Sequence, residues 1–279
     1  MKQLSVSVII PAFNEADTIG LCLESLRNQT DLPLEILVVD DGSTDETGSL
    51  VKQFAKNYHR VRLLVQPHQG PALSRNLAAK QAKGAVLVFV DADMEFSPDF
   101  LVTLTQPIFS DKARGTWSGE EWVRNWDNVW ARCWNFNANR RSLMMIGSDK
   151  GQKRVFRAVL RSEFLRVSGF DSIGYTDDWT LVNKLGYQPK ATRAKFFHYN
   201  PDSLKEVFSQ AYWIGKRQYK MGQLGTIITL VKYNPGFSLI VGMAKSIKYL
   251  EPRFVVFKLV HNWGIFRGAW DSLRHGSRY

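Results

Sequence analysis

Short apolar runs alternate with longer segments of helical periodicity through the first hundred residues. The runs are rich in Val, Ile and Leu, as expected of strands that are covered by helices on both faces. This alternation predicts βα units that build a mainly parallel sheet flanked by helices. The predicted strands cover residues 6–10, 35–39, 61–65 and 85–90.

Each segment between these strands has the features of a helix. The second one opens with Ser43 and Glu46 in the spacing of a capping box. The third covers residues 71–82, is rich in alanine and ends near Gly84. The first predicted helix buries one stripe, which consists of Ile19, Cys22, Leu23 and Leu26. The whole pattern predicts an α/β fold of the doubly wound, Rossmann-like type.

Polar residues cluster directly after two of the apolar strands. One turn, at residues 11–15, follows the first strand, and another, at residues 91–93, follows the fourth. Doubly wound sheets bind their ligands beyond the carboxyl ends of the strands. The sequence therefore predicts a binding site at this edge of the sheet.

Tryptophan recurs at every fourth position of the middle segment, at Trp122, Trp126, Trp130 and Trp134. This spacing predicts one helix with an aromatic stripe that must be buried. Core packing is one explanation for the stripe. The alternatives are an acceptor groove or a membrane-facing surface, because tryptophan suits interfaces with one apolar and one wet side.

Residues 201–279 are predicted to form a basic, apolar extension of amphipathic helices. Its first helix begins after Ser203, whose spacing to Glu206 again fits a capping box. The later apolar stretches are interrupted by Lys, Asn or Pro. None of them reaches the roughly 18 to 20 residues that a bilayer span needs. They are predicted to be interfacial or core helices.

The charge of the chain requires an anionic partner. The formal net charge is +11, while the contents of hydrophobic residues, 44%, and charged residues, 23%, are ordinary for a globular protein. The basic residues of the last third are interleaved with aromatic and aliphatic ones. This mixture favours an anionic membrane surface over nucleic acid, for which no recognition motif is present.

The two cysteines, Cys22 and Cys133, lie far apart and predict neither a disulfide framework nor a zinc site. The apolar run near the start of the chain is too short for the core of a signal peptide. The expected location is therefore the cytoplasm, with peripheral attachment to the inner membrane face as the alternative.

Five short motifs follow one another in a fixed order. They read VSVIIPAFNE at residues 6–15, EILVVDDGSTD at 35–45, GPALSRN at 70–76, VFVDAD at 88–93 and GYTDDWTL at 174–181. Together they resemble the family 2 glycosyltransferases of the GT-A fold, and the resemblance covers roughly residues 5 to 200. It implies an inverting enzyme that moves a sugar from a nucleotide-sugar donor, predicted to be UDP-linked, to a hydroxyl of a glycan or lipid-linked acceptor.

A metal site is predicted where Asp91 and Asp93 flank the small residue Ala92. Two carboxylates placed in this way can reach one hard cation, and Mg²⁺ or Mn²⁺ can then bridge to a diphosphate. The resemblance implies that Asp93 binds the metal directly and that Asp91 lies close to the ribose or the metal. The alternative is that the acidic pair only solvates the turn or caps the next element.

His198 is a further candidate ligand, because it lies where relatives carry a histidine for the metal or the diphosphate. The alternative is that it is a packed structural residue.

The resemblance also implies a set of nucleotide-sugar-binding residues. Asp41 is the residue expected to accept a hydrogen bond from a uracil or guanine N–H, although Asp40 or Asp41 could instead cap the next helix. Arg75 occupies a position that is often basic near the nucleotide, with a structural salt bridge as the alternative. The remaining members of the set are Pro11, Ala12, Phe13, Glu15, Gly70, Asp91, Ala92 and Asp93.

The pair Asp177 and Asp178 resembles the Glu-Asp pair of the family. Asp178 is the expected general base, which removes a proton from the acceptor hydroxyl, and Asp177 is expected to support it. Alternatively, both carboxylates simply favour the positive end of a helix dipole. Three basic residues before them could contact the diphosphate or an anionic acceptor, or form a solvated loop; these are Lys150, Lys153 and Arg154.

The predicted catalytic domain covers residues 1–200, with nucleotide-sugar binding in 1–110, the acceptor side in 111–200 and the extension in 201–279. A sugar nucleotidyltransferase would share the sheet and the metal site. Such an enzyme should have a Gly-rich, Arg-containing loop after the first strand, whereas this chain has the sequence PAFNE there. A non-enzymatic binder of nucleic acid or other anions would have to hold a polyanion beside six acidic residues, with no metal ion to offset their negative charge. These are Asp40, Asp41, Asp91, Asp93, Asp177 and Asp178.

Overall fold

The computed structural model describes residues 5–143, 154–173, 177–216, 219 and 221–275. The described chain divides into two compact units. The first consists of residues 5–122, 154–172 and 177–198, and the second consists mainly of residues 123–143 and those after 198. Residues 123–143, which the sequence assigns to the acceptor side of the catalytic domain, thus pack with the C-terminal helices.

The first unit is built on one sheet. Its strands are β1 (Val6–Ala12), β2 (Glu35–Asp40), β3 (Val61–Val65), β4 (Val86–Phe89), β5 (Met94–Phe96), β6 (Gly115–Val123), β7 (Ala158–Leu160) and β8 (Lys190–His198). Among the described residues the order along the sheet is β3-β2-β1-β4-β7-β6-β8-β5. The four strands predicted from apolar runs are β1 to β4.

Strands β3, β2, β1 and β4 pair in parallel. The pairs β4–β7, β6–β7 and β5–β8 are antiparallel, so the sheet as a whole is mixed. All residues of β2 and β4 are buried, because helices cover both faces of these strands. The predicted α/β fold with a sheet flanked by helices is confirmed.

Helices lie on both faces of this sheet. They are α1 (Ile19–Arg27), α2 (Thr47–Asn57), α3 (Pro71–Gln81), α4 (Phe100–Phe109), α6 (Arg161–Arg166) and α7 (Asp177–Leu185), while α5 (Val129–Asn137) belongs to the second unit. Val8 and Ile10 of β1 pack in one core cluster with α1, α2 and α4. Ile9 packs in another cluster with α3, α6 and α7. This alternation follows from the two-residue period of a strand.

The predicted capping box of α2 is wrong. The helix begins at Thr47, and Glu46 at the N-cap position makes no side-chain capping bond. Asp45 accepts a hydrogen bond from the amide of Thr47 at 3.0 Å. The Ser43 hydroxyl instead accepts one from the amide of Asn14 at 3.0 Å. Ser43 therefore ties the loop after β1 to the loop after β2.

The second unit is helical in its described part. Besides α5 it contains α8 (Leu204–Gly215), α9 (Gly222–Lys232), α10 (Pro235–Tyr249) and α11 (Phe254–His275). The predicted cap of α8 is present, because the Ser203 hydroxyl accepts a hydrogen bond from the amide of Glu206 at 3.3 Å. Helices α8 and α11 approach closely at Gly215 and Gly268, where a Cβ atom would meet the backbone of the opposite helix.

The predicted single helix with four tryptophans is wrong. Asn128 caps α5 by accepting hydrogen bonds from the amides of residues 130 and 131. Only Trp130 and Trp134 therefore lie on the helix, whereas Trp126 precedes it and Trp122 lies in β6. Trp126, Trp130 and Trp134 pack against a core cluster that includes buried residues of α5, α8 and α11. Core packing is the explanation that the structure supports for these three.

No single helix in the described parts of the chain is both long and apolar enough to cross a membrane. Helices α9 and α10 reach the required length and hydropathy only when they are taken together, and they are bent by 59° at the break between them.

Candidate active site

The guanidinium of Arg75 joins carboxylates from two distant parts of the sequence. Its Nη2 donates to Asp91 Oδ1 at 2.6 Å, and its Nη1 donates to Asp178 Oδ1 at 2.7 Å. Arg75 comes from α3, Asp91 follows β4 and Asp178 is the second residue of α7. The structure thus brings together three of the residues that the sequence proposes for the site. Arg75 thus forms salt bridges, and its predicted place near the nucleotide stays a prediction.

A second arginine, which the sequence analysis missed, holds the other oxygen of Asp91. Arg157 Nη1 lies 3.2 Å from Asp91 Oδ2, and its guanidinium stacks over the ring of Phe196. Burial raises the pKa of Asp91, but Arg75 and Arg157 outweigh it and hold this pKa well below its usual range. Arg157 directly precedes β7, and its carbonyl accepts a hydrogen bond from the amide of Phe89 in β4. Only this strand pairing places it beside Asp91.

Asp93 forms a pair with His198. The pairing of β5 with β8 sets Met94 opposite His198, and His198 Nε2 lies 2.8 Å from Asp93 Oδ2. Burial lowers the pKa of His198, but Asp93, together with Glu121 and Asp91, outweighs burial and raises this pKa to about 9. The other ring nitrogen lies 3.8 Å from Glu121 Oε1 in β6, a neighbour that the sequence did not indicate.

One carboxylate oxygen of Asp93 is available to bind a cation. Asp93 Oδ1 is buried and accepts no hydrogen bond from any described residue. Within the part of the chain that the structure describes, no three His, Cys, Asp or Glu side chains are grouped to hold a metal ion. Mg²⁺ commonly takes only one or two carboxylates from the protein and completes its shell with substrate phosphates and water. Asp93 with His198 fits such a partial site, whereas both Asp91 oxygens face guanidinium groups.

The loop after β1 is held by the loop after β2 and by the first residue of α2. The amide of Glu15 donates to the Thr47 hydroxyl at 2.8 Å, and the Thr18 hydroxyl donates to Glu15 Oε2 at 2.9 Å. Burial and then the charge of Asp93 raise the pKa of Glu15 to about 8. Pro11 and the buried Ala12 end β1 in this loop, and the exposed ring of Phe13 stacks on His68 with centroids 4.1 Å apart. His68 was not predicted.

Asp41 organises the segment before α3. Its buried carboxylate accepts hydrogen bonds from Gln66 Nε2 at 2.6 Å and from the amides of Gln69 and Gly70 at 3.0 and 2.8 Å. His68 Nδ1 lies 2.9 Å from Asp41 Oδ2. Gly70 has φ = 91°, a conformation that favours glycine. The predicted contact of Asp41 with a nucleotide base stays a prediction, and neither Asp40 nor Asp41 caps α2.

We expect Asp41→Ala to lower the free energy of unfolding by about 3 kcal/mol, because several donors would lose their buried acceptor. The loss can be measured by urea unfolding, together with the affinity for a UDP-sugar. Asp17→Ala removes an exposed carboxylate from the neighbouring loop and is the matched control. Unchanged stability with lost donor binding would contradict the structural role and favour direct contact with the base.

The acidic pair opens α7. Asp177 is buried, and its carbonyl accepts a hydrogen bond from the Thr180 hydroxyl at 2.6 Å. Both carboxylates lie in the first turn, as the helix-dipole alternative requires, but the contact with Arg75 ties Asp178 to Asp91 as well. Ala92 is buried between Asp91 and Asp93. Arg154 stacks over Trp117, whereas Lys150 and Lys153 lie outside the described residues.

The sequence model of Glycosyl transferase family 2 matches residues 7–161, which is more than half of the chain. This chain is a family 2 glycosyltransferase. The matched part of the glycosyltransferase runs from β1 through β7 and contains Asp41, Arg75, Asp91, Asp93 and Arg157. The acidic pair of α7 and His198 lie beyond the match.

Named relatives agree with this family assignment. The uncharacterized glycosyltransferase YibD of Escherichia coli is 37% identical over 129 residues, which are 44% of this chain and 38% of that protein. Chondroitin synthase of Pasteurella multocida is 36% identical over 107 residues, which are 38% of this chain and 11% of that protein. The glycosyltransferase therefore matches well under half the length of either relative.

A solved structure shares the fold over almost the whole glycosyltransferase chain. The crystal structure of S. aureus TarS in complex with UDP-GlcNAc has a TM-score of 0.55 and 18% sequence identity, and the match covers 98% of this chain and 92% of that one. At such identity the likeness concerns the fold alone. The predicted GT-A-type fold is confirmed.

Proposed function

We propose that this glycosyltransferase moves a sugar from a UDP-sugar to a hydroxyl of a glycan or lipid-linked acceptor, with inversion and with Mg²⁺ or Mn²⁺. The observation that carries the proposal is the bridge through Arg75, which links Asp91 at the end of β4 to Asp178 at the start of α7. The carboxylate expected near the donor and the one expected to act as base thus share one guanidinium. The complex of TarS with UDP-GlcNAc supports a nucleotide-sugar donor.

In this proposal Asp178 is the general base. Its Oδ1 is held by Arg75, and 38% of its side chain is exposed, so an acceptor hydroxyl can approach Oδ2. The hydroxyl proton passes to Asp178 while the hydroxyl oxygen forms a bond to the anomeric carbon. The bond from that carbon to the diphosphate breaks on the opposite face, which inverts the configuration.

Asp93 and His198 are the residues that would hold the metal. A bound divalent cation would neutralise the negative charge that develops on the leaving nucleoside diphosphate. His198 must then give up its proton, because an imidazole nitrogen binds a metal only when it is unprotonated. In the proposal, Asp91 stays with Arg75 and Arg157. The buried Arg75 and the largely buried Arg157 add positive charge on the donor side.

The proposal is tested by a donor panel. The chain, freed of metal by a chelator, is incubated with UDP-, GDP- and dTDP-sugars and with glycan or lipid-linked acceptors. We expect acceptor-dependent release of UDP only after Mg²⁺ or Mn²⁺ is added back. In a parallel incubation with a nucleoside triphosphate and a sugar phosphate, release of pyrophosphate would identify a nucleotidyltransferase instead. UDP release at full rate in chelator would refute the metal requirement.

A pair of histidine variants separates the metal site from the donor loop. We expect His198→Gln to raise the metal concentration for half-maximal activity at least about ten-fold, because the metal loses a ligand. His68→Gln is the matched control, since His68 contacts Phe13 and Asp41 but not Asp93. An equal metal requirement in both variants would contradict the role given to His198.

A further inference from the structure

Helices α9 and α10 expose an unusual amount of apolar surface. The exposed fraction is 67% for Val231, 63% for Ile240 and 76% for Ile247. Such residues recur along both helices instead of standing singly. They are Met221, Leu224, Ile227, Ile228 and Val231 at α9, and Phe237, Leu239, Ile240, Met243, Ile247 and Leu250 at α10. We call these eleven residues the apolar face.

The opposite sides of the same helices are polar or small. The residues that α9 buries are Thr226 and Thr229, and those that α10 buries are Ser238 and Gly242. The two threonine hydroxyls donate to backbone carbonyls of their own helix. The Ser238 hydroxyl accepts a hydrogen bond from Asn262 of α11 at 2.8 Å. Helices α9 and α10 therefore turn their large aliphatic residues outward and their small and hydroxyl residues inward.

This arrangement is the reverse of a helix on a water-soluble protein, where the apolar stripe faces the core. Helices in lipid pack through Gly, Ala, Ser and Thr, because lipid tails already solvate the larger apolar side chains. At Gly242 the close approach is direct, since a Cβ atom would lie 3.3 Å from the Cα of Val255 in α11. Both observations favour hydrocarbon as the medium outside α9 and α10.

The charge of this region favours an anionic lipid surface. Between Glu206 and Glu251 the sequence has six Lys and Arg residues and no Asp or Glu. Lysines beside tyrosine rings stand at the ends of α9 and α10, with Lys232 over Tyr233 at 5.4 Å and Lys248 over Tyr249 at 5.2 Å. Tyrosine and lysine are the side chains that anchor helices at the boundary between headgroups and hydrocarbon.

We propose that α9 and α10 dock the protein on an anionic bilayer and lie in the boundary between headgroups and acyl chains. Their lengths, 11 and 15 residues, correspond to about 16 and 22 Å. Neither can cross a hydrocarbon core of about 30 Å. The 59° bend between them suits two helices that lie along a surface. A lipid-linked acceptor would share this surface, a consequence that rests on the proposed function, whereas docking itself does not.

Vesicle sedimentation of the full chain tests the docking. The vesicles contain phosphatidylcholine alone, or phosphatidylcholine and phosphatidylglycerol in equal parts. We expect binding to the anionic vesicles and at least about a hundred-fold weaker partition for the triple variant Ile228→Gln, Ile240→Gln, Ile247→Gln. Replacing Lys232 or Lys248 by Gln should weaken partition about five-fold each, and less at high salt.

The matched control places the same three changes on exposed apolar residues of the first unit. These are Leu21→Gln, Leu32→Gln and Leu165→Gln. Both triple variants change only exposed side chains, so their Tm values should equal that of the parent. Equal vesicle binding by the two triple variants would overturn the proposal. The assay needs no sugar donor, so its failure is distinguishable from failure of the proposed function.

A fluorescent label gives a second measurement on a chain with its apolar face nearly intact. The two natural cysteines are buried, so Ile240→Cys can be labelled selectively with an environment-sensitive dye, with Leu21→Cys as the control site. We expect the dye emission to shift to the blue with anionic vesicles at residue 240 but not at residue 21.

A blue shift without lipid that grows with protein concentration would show a second copy of the chain on this face. Quenching of a dye at residue 221 or 250 by a polar quencher sealed inside the vesicles would show a helix pair that crosses the bilayer. Either result overturns the proposal.

Discussion

Asp178→Asn is expected to lower the turnover number for acceptor-dependent UDP release about a thousand-fold. The amide cannot take the proton of the attacking hydroxyl, but its oxygen can still accept the hydrogen bond of Arg75, so the fold and the affinity for the donor should be kept. Steady-state kinetics with a soluble acceptor and calorimetric titration of the UDP-sugar measure the two effects separately.

The control for this prediction is Asp171→Asn. Asp171 belongs to the same unit and forms an exposed pair with Lys184 at 2.8 Å. Its replacement should leave the turnover number unchanged. If Asp178→Asn also turned over at the parent rate, the base would have to be another group.

Arg75→Met is expected to lower the free energy of unfolding by about 3 kcal/mol, because two charge-assisted hydrogen bonds of a buried guanidinium are lost. Asp178 then loses its guanidinium partner, whereas Asp91 keeps Arg157. Arg75 is itself buried, and its opposing charges raise its pKa above the ordinary arginine value although burial lowers it. Activity should fall as well, since Asp91 and Asp178 would lose their common partner. Urea unfolding and UDP release measure these effects.

Two further variants test whether the effect comes from the bridge. Combining Arg75→Met with Asp178→Asn should recover part of the lost stability, because the carboxylate that loses its guanidinium partner is then neutral. Arg27→Met breaks an exposed pair with Glu24 and should cost less than about 0.5 kcal/mol. Equal losses from Arg75→Met and Arg27→Met would contradict a stabilising bridge.

The elements whose signals are local were predictable. The strand at Val61–Val65 has the predicted bounds, and the third helix ends one residue before the predicted position. The buried stripe of α1 consists of the four predicted residues, Ile19, Cys22, Leu23 and Leu26. Each of these follows from the period of apolar residues that are close in sequence. The order of the motifs likewise located Asp91, Asp93 and Asp178, whose roles stay predictions.

Patterns that fit two structures were misread. Tryptophan at every fourth position has helical spacing, but Asn128 starts α5 only at Val129, and Trp122 belongs to a strand. Ser43 and Glu46 have the spacing of a capping box, but the Ser43 hydroxyl bonds to the loop after β1. For Ser43 a hydrogen bond to a distant loop decided between conformations that the local sequence allows, whereas the local cap by Asn128 set the start of α5.

The sequence by itself determined the strands of the parallel half-sheet, the polar turns at their carboxyl ends and the family of the chain. Only the tertiary structure decided which charges meet. Arg75 lies 103 residues from Asp178, and Arg157 lies 66 residues from Asp91. It also decided that α9 and α10 turn their aliphatic side outward. Local periodicity reports which residues share a face, but the partner of a face or a charge depends on the packing of segments that are distant in sequence.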